Sequence, residues 1–113
     1  MHMAYLRVIR EDGEISRPLD GVWMTIQKVL ASFKWDIEQI DGTAHHIKAK
    51  TESGFMSYST VLLIDVESID ENATRVSVTA ETPGTTITTM FDFGRAGKQR
   101  INLFLSELVK QSK

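Results

Sequence analysis

The sequence contains no cysteine and only two prolines among its 113 residues. The absence of cysteine excludes disulfides, iron–sulfur clusters, thiolate zinc sites and cysteine nucleophiles. Thirteen basic and fifteen acidic residues give a formal net charge of −2, so the chain has no positive field that would concentrate a polyanion, and we expect no nucleic-acid partner. Because long apolar runs are also missing, we expect neither a membrane span nor a signal peptide.

What is present is the composition of an ordinary globular protein, with 42% hydrophobic and 25% charged residues. Folding of a chain of this size buries roughly 65% of the surface that the unfolded chain exposes, which suffices for one core without metal or disulfide support. We therefore predict a single domain over residues 1–113 that is soluble, by default cytoplasmic, and free of cofactors. Met1 and Met3 around His2 resemble a cloning remnant.

Two amphipathic helices are predicted. Residues 4–10 have strand character that ends at the turn residues 11–13, after which Ser16 and Pro18 favour the start of a helix. Apolar side chains then follow the 3.6-residue period of one helical face, at Val22, Ile26, Val29, Leu30 and Phe33. A second such face follows residue 94, at Ile101, Phe104, Leu105, Leu108 and Val109.

Between the helices the pattern alternates with the period of a strand. Residues 35–38 and 44–51 predict a hairpin, for which parity favours a three-residue loop, 40–42, over a two-residue loop. Gly42 is then expected in the left-handed conformation, with Asp36 opposite His46. The outer face would carry opposite charges across the strands, at Asp36, Glu38, His46, Lys48 and Lys50.

Further strands are predicted over residues 57–67, which are apolar on both faces, and over 75–82, which are apolar on one face. Pro83 and Gly84 interrupt the pattern, and residues 85–91 are either a bent continuation or a last short strand. The expected fold class is α+β, an antiparallel sheet of five or six strands with two helices packed on one face, in the order β-α-β-β-β-β(-β)-α.

Two groups of polar residues are candidates for a binding or catalytic site. Arg95, Gly97 and Lys98 at the start of the second helix could bind an anion, although a solvated entry loop explains them as well. His45 and His46 are neighbours on a strand, point to opposite faces and cannot hold one metal ion together. His46 is expected to form a surface pair with Asp36 or Glu38. No catalytic residues are identified, because no serine has a Ser-His-Asp context.

The chain also resembles a known group of small domains. Residues 18–23 (Pro-Leu-Asp-Gly-Val-Trp) followed by a helix, then 35–37 (Trp-Asp-Ile) and Gly42 before 47–49 (Ile-Lys-Ala), resemble the entry of helix-grip domains, which include the outer-membrane assembly lipoprotein BamC and families of unknown function. The C-terminal helix over 97–108 is similar to that of the Bet v 1-like, or START-like, lipid-binding fold. One continuous first helix and the short chain depart from the Bet v 1 pattern.

The resemblance implies two functions. The first is a non-catalytic interaction or assembly module with a protein partner. The alternative is a binding protein for a small hydrophobic ligand in a pocket between the sheet and the C-terminal helix. Its candidate pocket residues, which could equally pack together as plain core, are Trp23, Trp35, Tyr58, Leu62, Phe91 and Phe104. Enzyme activity is a weaker third option that would combine His45 or His46 with carboxylates.

Overall fold

The computed structural model describes residues 5–51, 60–84 and 95–112, with side chains for 8–51, 60–81 and 98–112. It contains five strands and two helices in the predicted α+β order, which confirms the fold class. The elements are β1 (Tyr5–Ile15), α1 (Leu19–Phe33), β2 (Asp36–Asp41), β3 (His46–Lys50), β4 (Val61–Asp70), β5 (Ala73–Gly84) and α2 (Arg95–Gln111). The further strand predicted over 85–91 lies outside the described residues.

The strands form one antiparallel sheet in the order β1-β5-β4-β3-β2. Both helices pack on the same face, which we call the inner face; α2 contacts β1 and β5, whereas α1 contacts β4, β5 and β2. The sequence alternation decides which face is inner, because the buried side chains of each strand recur at every second position. On β4 and β5 these are Leu62, Ile64, Val66, Val76, Val78 and Ala80.

The core lies between this face and the two helices. The buried helical side chains are Val22, Ile26, Val29 and Leu30 of α1, and Ile101, Phe104 and Leu108 of α2. Burial of one such aliphatic or aromatic side chain contributes roughly 1.5–3 kcal/mol, so these two helical faces supply much of the driving force for folding. Of the other two predicted members of the α2 face, Leu105 is partly buried against the core, and Val109 is exposed because it lies at the edge of the buried stripe.

One predicted strand end is wrong, and another strand runs on past the residue where its sequence pattern breaks. β1 does not stop at the turn residues 11–13 but continues to Ile15, because its backbone pairs with β5 along the whole length, with Glu11 opposite Val78 and Gly13 opposite Val76. β5 continues through Pro83 to Gly84, where the sequence pattern is interrupted, and the stretch 85–91 that could extend it lies outside the described residues. In both places strand pairing outweighs the local preference of Asp, Gly and Pro for turns.

The register of the predicted hairpin is also wrong. Asp41, not Asp36, lies opposite His46, so the loop has four residues, 42–45, and a bulge at Glu38 shifts the pairing. The left-handed residue is His45, with φ 54°, rather than Gly42. An extra residue in one strand reverses the parity argument, because every residue before the bulge moves by one position relative to its partner strand.

Candidate ligand-binding site

The structure places four of the six predicted pocket residues in one hydrophobic cluster. Leu62 and Phe104 have no exposed surface, Trp35 is 7% exposed, and Trp23 is partly buried against the same cluster. The other two, Tyr58 and Phe91, lie outside the described residues. The described pocket residues therefore meet as expected, and their contact with a ligand stays a prediction.

Two aromatic pairs lie beside α1 and connect it to the β2–β3 side of the sheet. The ring of Trp23 meets the ring of His45 edge to face, with the centroids 5.0 Å apart. At the other end of the helix, Phe33 stacks on Trp35 with the centroids 4.6 Å apart and the ring planes at 19°. Both geometries are favourable for aromatic rings, so the first pair ties α1 to the loop between β2 and β3 and the second orders the connection from α1 into β2.

Beyond these pairs, the inner face of the sheet is not completely covered. Ile37 lies opposite Ala49 and Ile40 opposite Ile47, so both isoleucines share the inner face with fully buried partners. Yet Ile37 is 41% and Ile40 49% exposed. We call this pair the β2 strip. It forms because β2 is the last strand of the sheet and the helices are centred on the other strands.

The outer face beside the strip is polar. His46 Nδ1 lies 2.7 Å from Asp65 Oδ1, and Lys48 Nζ lies 3.9 Å from Glu38 Oε1. The prediction that His46 pairs with Asp36 or Glu38 is wrong. His46 lies directly opposite Asp65 on β4, and Asp36 lies opposite Lys50. The cross-strand charge pairing predicted for this face is otherwise confirmed, and it leaves the inner face as the surface suited to an apolar ligand.

The loop that ends the strip is organised by Asp41. Its Oδ1 accepts hydrogen bonds from the backbone N–H groups of Thr43 and Ala44, at 2.9 and 3.0 Å. These two bonds, followed by the nearby His46 and His45, lower the pKa of Asp41 below its ordinary value of 3.8. The same loop holds His45 in its left-handed conformation against Trp23.

We expect the loop to lose this support in acid. Because the pKa of Asp41 is lowered in the folded state, its contribution to stability is present above 3.8 and is lost as the pH falls through the folded-state value. In an NMR titration, the amide signals of Thr43 and Ala44 should move together with a midpoint below 3.8. The Asp41→Asn variant should show no such titration, whereas a midpoint above 3.8 in the unaltered protein would contradict the assignment.

The anion site predicted at the start of α2 stays a prediction. The helix begins at Arg95 and Gly97 lies in its first turn, while Lys98 is exposed. The side chains of residues 95–97 lie outside the described set. Among the residues that the structure describes, no group of three or more histidine, aspartate and glutamate side chains is placed to hold a metal ion.

Two shallow clefts that sequence reasoning did not find flank Arg17, where β1 meets α1 and the end of α2. Their volumes are about 380 and 310 Å³. Arg17 Nε donates a hydrogen bond to the backbone oxygen of Ser112 at 2.6 Å, and Thr74 Oγ1 donates one to the backbone oxygen of Arg17 at 2.7 Å. These polar contacts connect the segment before α1 to the end of α2 and to the start of β5.

Comparison with known proteins identifies the fold but no close relative. No protein-family model matches the sequence, and a search of the curated proteins finds no significant match. None of the described helices is long and apolar enough to cross a membrane.

Several solved structures share the architecture. A norcoclaurine synthase mutant from Thalictrum flavum, bound to a transition-state analogue, superposes with a TM-score of 0.76 at 11% identity, over 99% of this chain and 97% of that one. The aromatase/cyclase Zhui from Streptomyces gives a TM-score of 0.53 at 11% identity, over 96% and 94%. The di-domain aromatase/cyclase BexL gives 0.71 at 14% identity, over 92% of this chain but 45% of that one. The helix-grip type of fold expected from the sequence is thereby confirmed.

Proposed function

We propose that this domain binds a small hydrophobic ligand on the inner face of its sheet, at the β2 strip. The observation that carries the proposal is the exposure of Ile37 and Ile40, 41% and 49%, next to inner-face partners with no exposed surface. An apolar ligand lying there would continue the hydrophobic layer that the helices leave unfinished. Binding of an apolar molecule to such a surface is favourable because it removes apolar area from water.

The β2 strip lies close to residues that the sequence analysis predicts for the pocket. Ile37 lies opposite Ala49, and Ala49 lies opposite Leu62, so only one small side chain separates the strip from a predicted pocket residue. Trp35 directly precedes β2. A ligand that covers about 150 Å² of this apolar surface would gain about 4 kcal/mol before the cost of association.

The similar folds support a ligand rather than chemistry of a particular kind. One of the Thalictrum norcoclaurine synthase structures contains dopamine and hydroxybenzaldehyde, with a TM-score of 0.69 at 9% identity over 96% of this chain and 87% of that one. A small organic molecule is therefore accommodated by this architecture in that protein. We propose for this domain only the class of ligand, a small molecule with an apolar body. The reaction of the synthase is not part of the proposal.

The test is a titration with Nile red, a neutral apolar dye whose emission rises in an apolar environment. The unaltered protein should bind the dye, and Ile40→Arg should bind it at least about tenfold more weakly, because a charged side chain in the strip would have to be desolvated. Ile40 lies on an exposed edge strand, so the variant should keep its fold, which circular dichroism checks.

The matched control is Val8→Arg. Val8 is 56% exposed on the other edge strand, opposite Glu81 on the outer face, so its variant should bind Nile red like the unaltered protein. Equal weakening by both substitutions, or no binding by the unaltered protein, would refute the proposal. Native mass spectrometry of the purified protein would then reveal any ligand that it retains.

One observation favours a second candidate, the assembly module. All six residues of β2 are exposed, and an edge strand presents unpaired backbone groups to which a partner strand can add. Native mass spectrometry distinguishes the two functions. A dimer or larger assembly that Ile40→Arg dissociates supports the module, whereas a monomer that carries a small molecule supports ligand binding.

A further inference from the structure

The flank of α1 that faces β2 carries a polar residue, Gln27. Trp23 defines this flank, because its ring meets the ring of His45 in the loop that follows β2. Gln27 comes four residues after Trp23, and residues four apart lie on the same side of a helix. Thr25, which the helical period puts on the opposite flank, lines a cleft with Gln111 of α2 instead.

α1 and β2 lie side by side, and Gln27 lies between their two connected ends. At one end Trp23 touches the loop after β2. At the other end the helix stops at Phe33, and β2 begins three residues later at Asp36. The helix from Trp23 to Phe33 is about 15 Å long at 1.5 Å per residue, and β2 is roughly 17 Å long at 3.4 Å per residue. Gln27 on the helix and the β2 strip on the sheet therefore border the same surface.

This surface is open to a ligand. Ile37 and Ile40 of the strip are 41% and 49% exposed, and Gln27 is partly exposed. The partly exposed amide is thus the polar group that a molecule lying on the strip would meet on the helix side.

The amide of Gln27 has a free acceptor. Its Nε2 atom donates a hydrogen bond to the backbone oxygen of Trp23 at 3.3 Å. The Oε1 atom lies on the other branch of the amide, and none of the described residues donates a hydrogen bond to it. The carboxylates of Asp36 and Glu38 belong to the outer face, with the lysines of β3. The polar group next to the strip is therefore a neutral acceptor.

We infer that Gln27 determines the specificity of the ligand site, and that the ligand carries a hydroxyl group which donates a hydrogen bond to Gln27 Oε1. Its apolar body lies on the β2 strip, so the inference rests on the proposed function. A hydroxyl is favoured over an ammonium because the amide oxygen is uncharged and would not offset the cost of removing a cation from water. One neutral hydrogen bond of this kind changes the affinity about fivefold.

The experiment compares how 2-naphthol and 2-methoxynaphthalene displace Nile red. The two compounds share a ring system, but the methoxy group cannot donate a hydrogen bond. With the unaltered protein, 2-naphthol should displace the dye at an about fivefold lower concentration. Gln27→Leu, which suits a helix equally well, should displace the dye equally with both compounds. Gln27→Glu keeps an acceptor oxygen and should retain the preference for 2-naphthol, and circular dichroism checks the fold of both variants.

Gln39→Leu is the matched control, since it removes the same amide from the outer face of β2, where Gln39 is exposed opposite Lys48. It should keep the preference. The inference is overturned if the two compounds displace the dye equally or not at all from the unaltered protein, if Gln27→Leu retains the preference, or if Gln39→Leu loses it. Each of these results leaves dye binding, and with it the proposed function, intact. Failure of the proposed function shows itself differently, as absent binding of Nile red, and would overturn the inference as well.

Discussion

Replacement of Phe104 by alanine is expected to lower the free energy of unfolding by about 3–5 kcal/mol, the range for large aromatic side chains removed from a packed core. Phe104 lies on α2 with no exposed surface, and it heads the fully buried side chains in volume. Its neighbours on the same helical face, Ile101 and Leu108, are equally buried and tied to the sheet. They therefore cannot easily move to fill the cavity.

Urea denaturation followed by circular dichroism measures this loss. Leu103→Ala is the matched control, because Leu103 precedes Phe104 on the helix and is 47% exposed. Its effect should stay within about 0.5 kcal/mol, as is usual for surface substitutions. Comparable losses for the two variants would contradict the orientation of α2 on the sheet.

The contrast between the neighbours Leu103 and Phe104 shows which part of the fold can be predicted from the sequence. A helical face is read from spacing alone, and residues such as Val22, Ile26 and Phe104 were assigned to the core because they recur every three or four positions. Strand alternation did the same for Val76 and Val78. Both patterns are local, and burial of the marked face is the dominant stabilising term, so local pattern and final structure agree.

The ends and registers of the strands could not be read in the same way. Gly13 and Pro83 are turn residues by preference, yet both lie within paired strands, since each strand obtains its backbone hydrogen bonds from a partner distant in sequence. The bulge at Glu38 carries no sequence signal of its own. The loop closes at 42–45 instead of 40–42, so that Asp41 rather than Asp36 lies opposite His46 on β2, and the side-chain partner of His46 is Asp65 on the other neighbouring strand.

The candidate site likewise has one part that the sequence predicts and one part that it does not. Two aromatic members of the predicted pocket, Trp23 and Trp35, lie in or against the core as predicted, because large apolar side chains near a helix and a strand tend to meet there. The β2 strip was missed, because Ile40 looks like any other apolar residue until the helices are seen to stop short of it.

Trp35→Ala is expected to cost about 3–5 kcal/mol of unfolding free energy, because a nearly buried indole is removed. The loss of the stacked ring pair with Phe33, whose centroids are 4.6 Å apart, accounts for about 0.5–1.5 kcal/mol of the effect. Trp35→Phe keeps a ring on Phe33 and should lose distinctly less. Urea denaturation followed by circular dichroism provides both values, and equal losses would contradict the stacking.

The same residue connects stability to ligand binding. Trp35 immediately precedes β2, so in the Trp23→Phe variant, which leaves it as the sole tryptophan, its fluorescence reports on the strip. Nile red bound at Ile37 and Ile40 should quench this emission by energy transfer, and the further substitution Ile40→Arg should restore it. If the quenching persists in Ile40→Arg, Nile red still binds close to the Trp35 indole although the β2 strip is disrupted. The dye would then bind elsewhere on the inner face, which would contradict the proposed site.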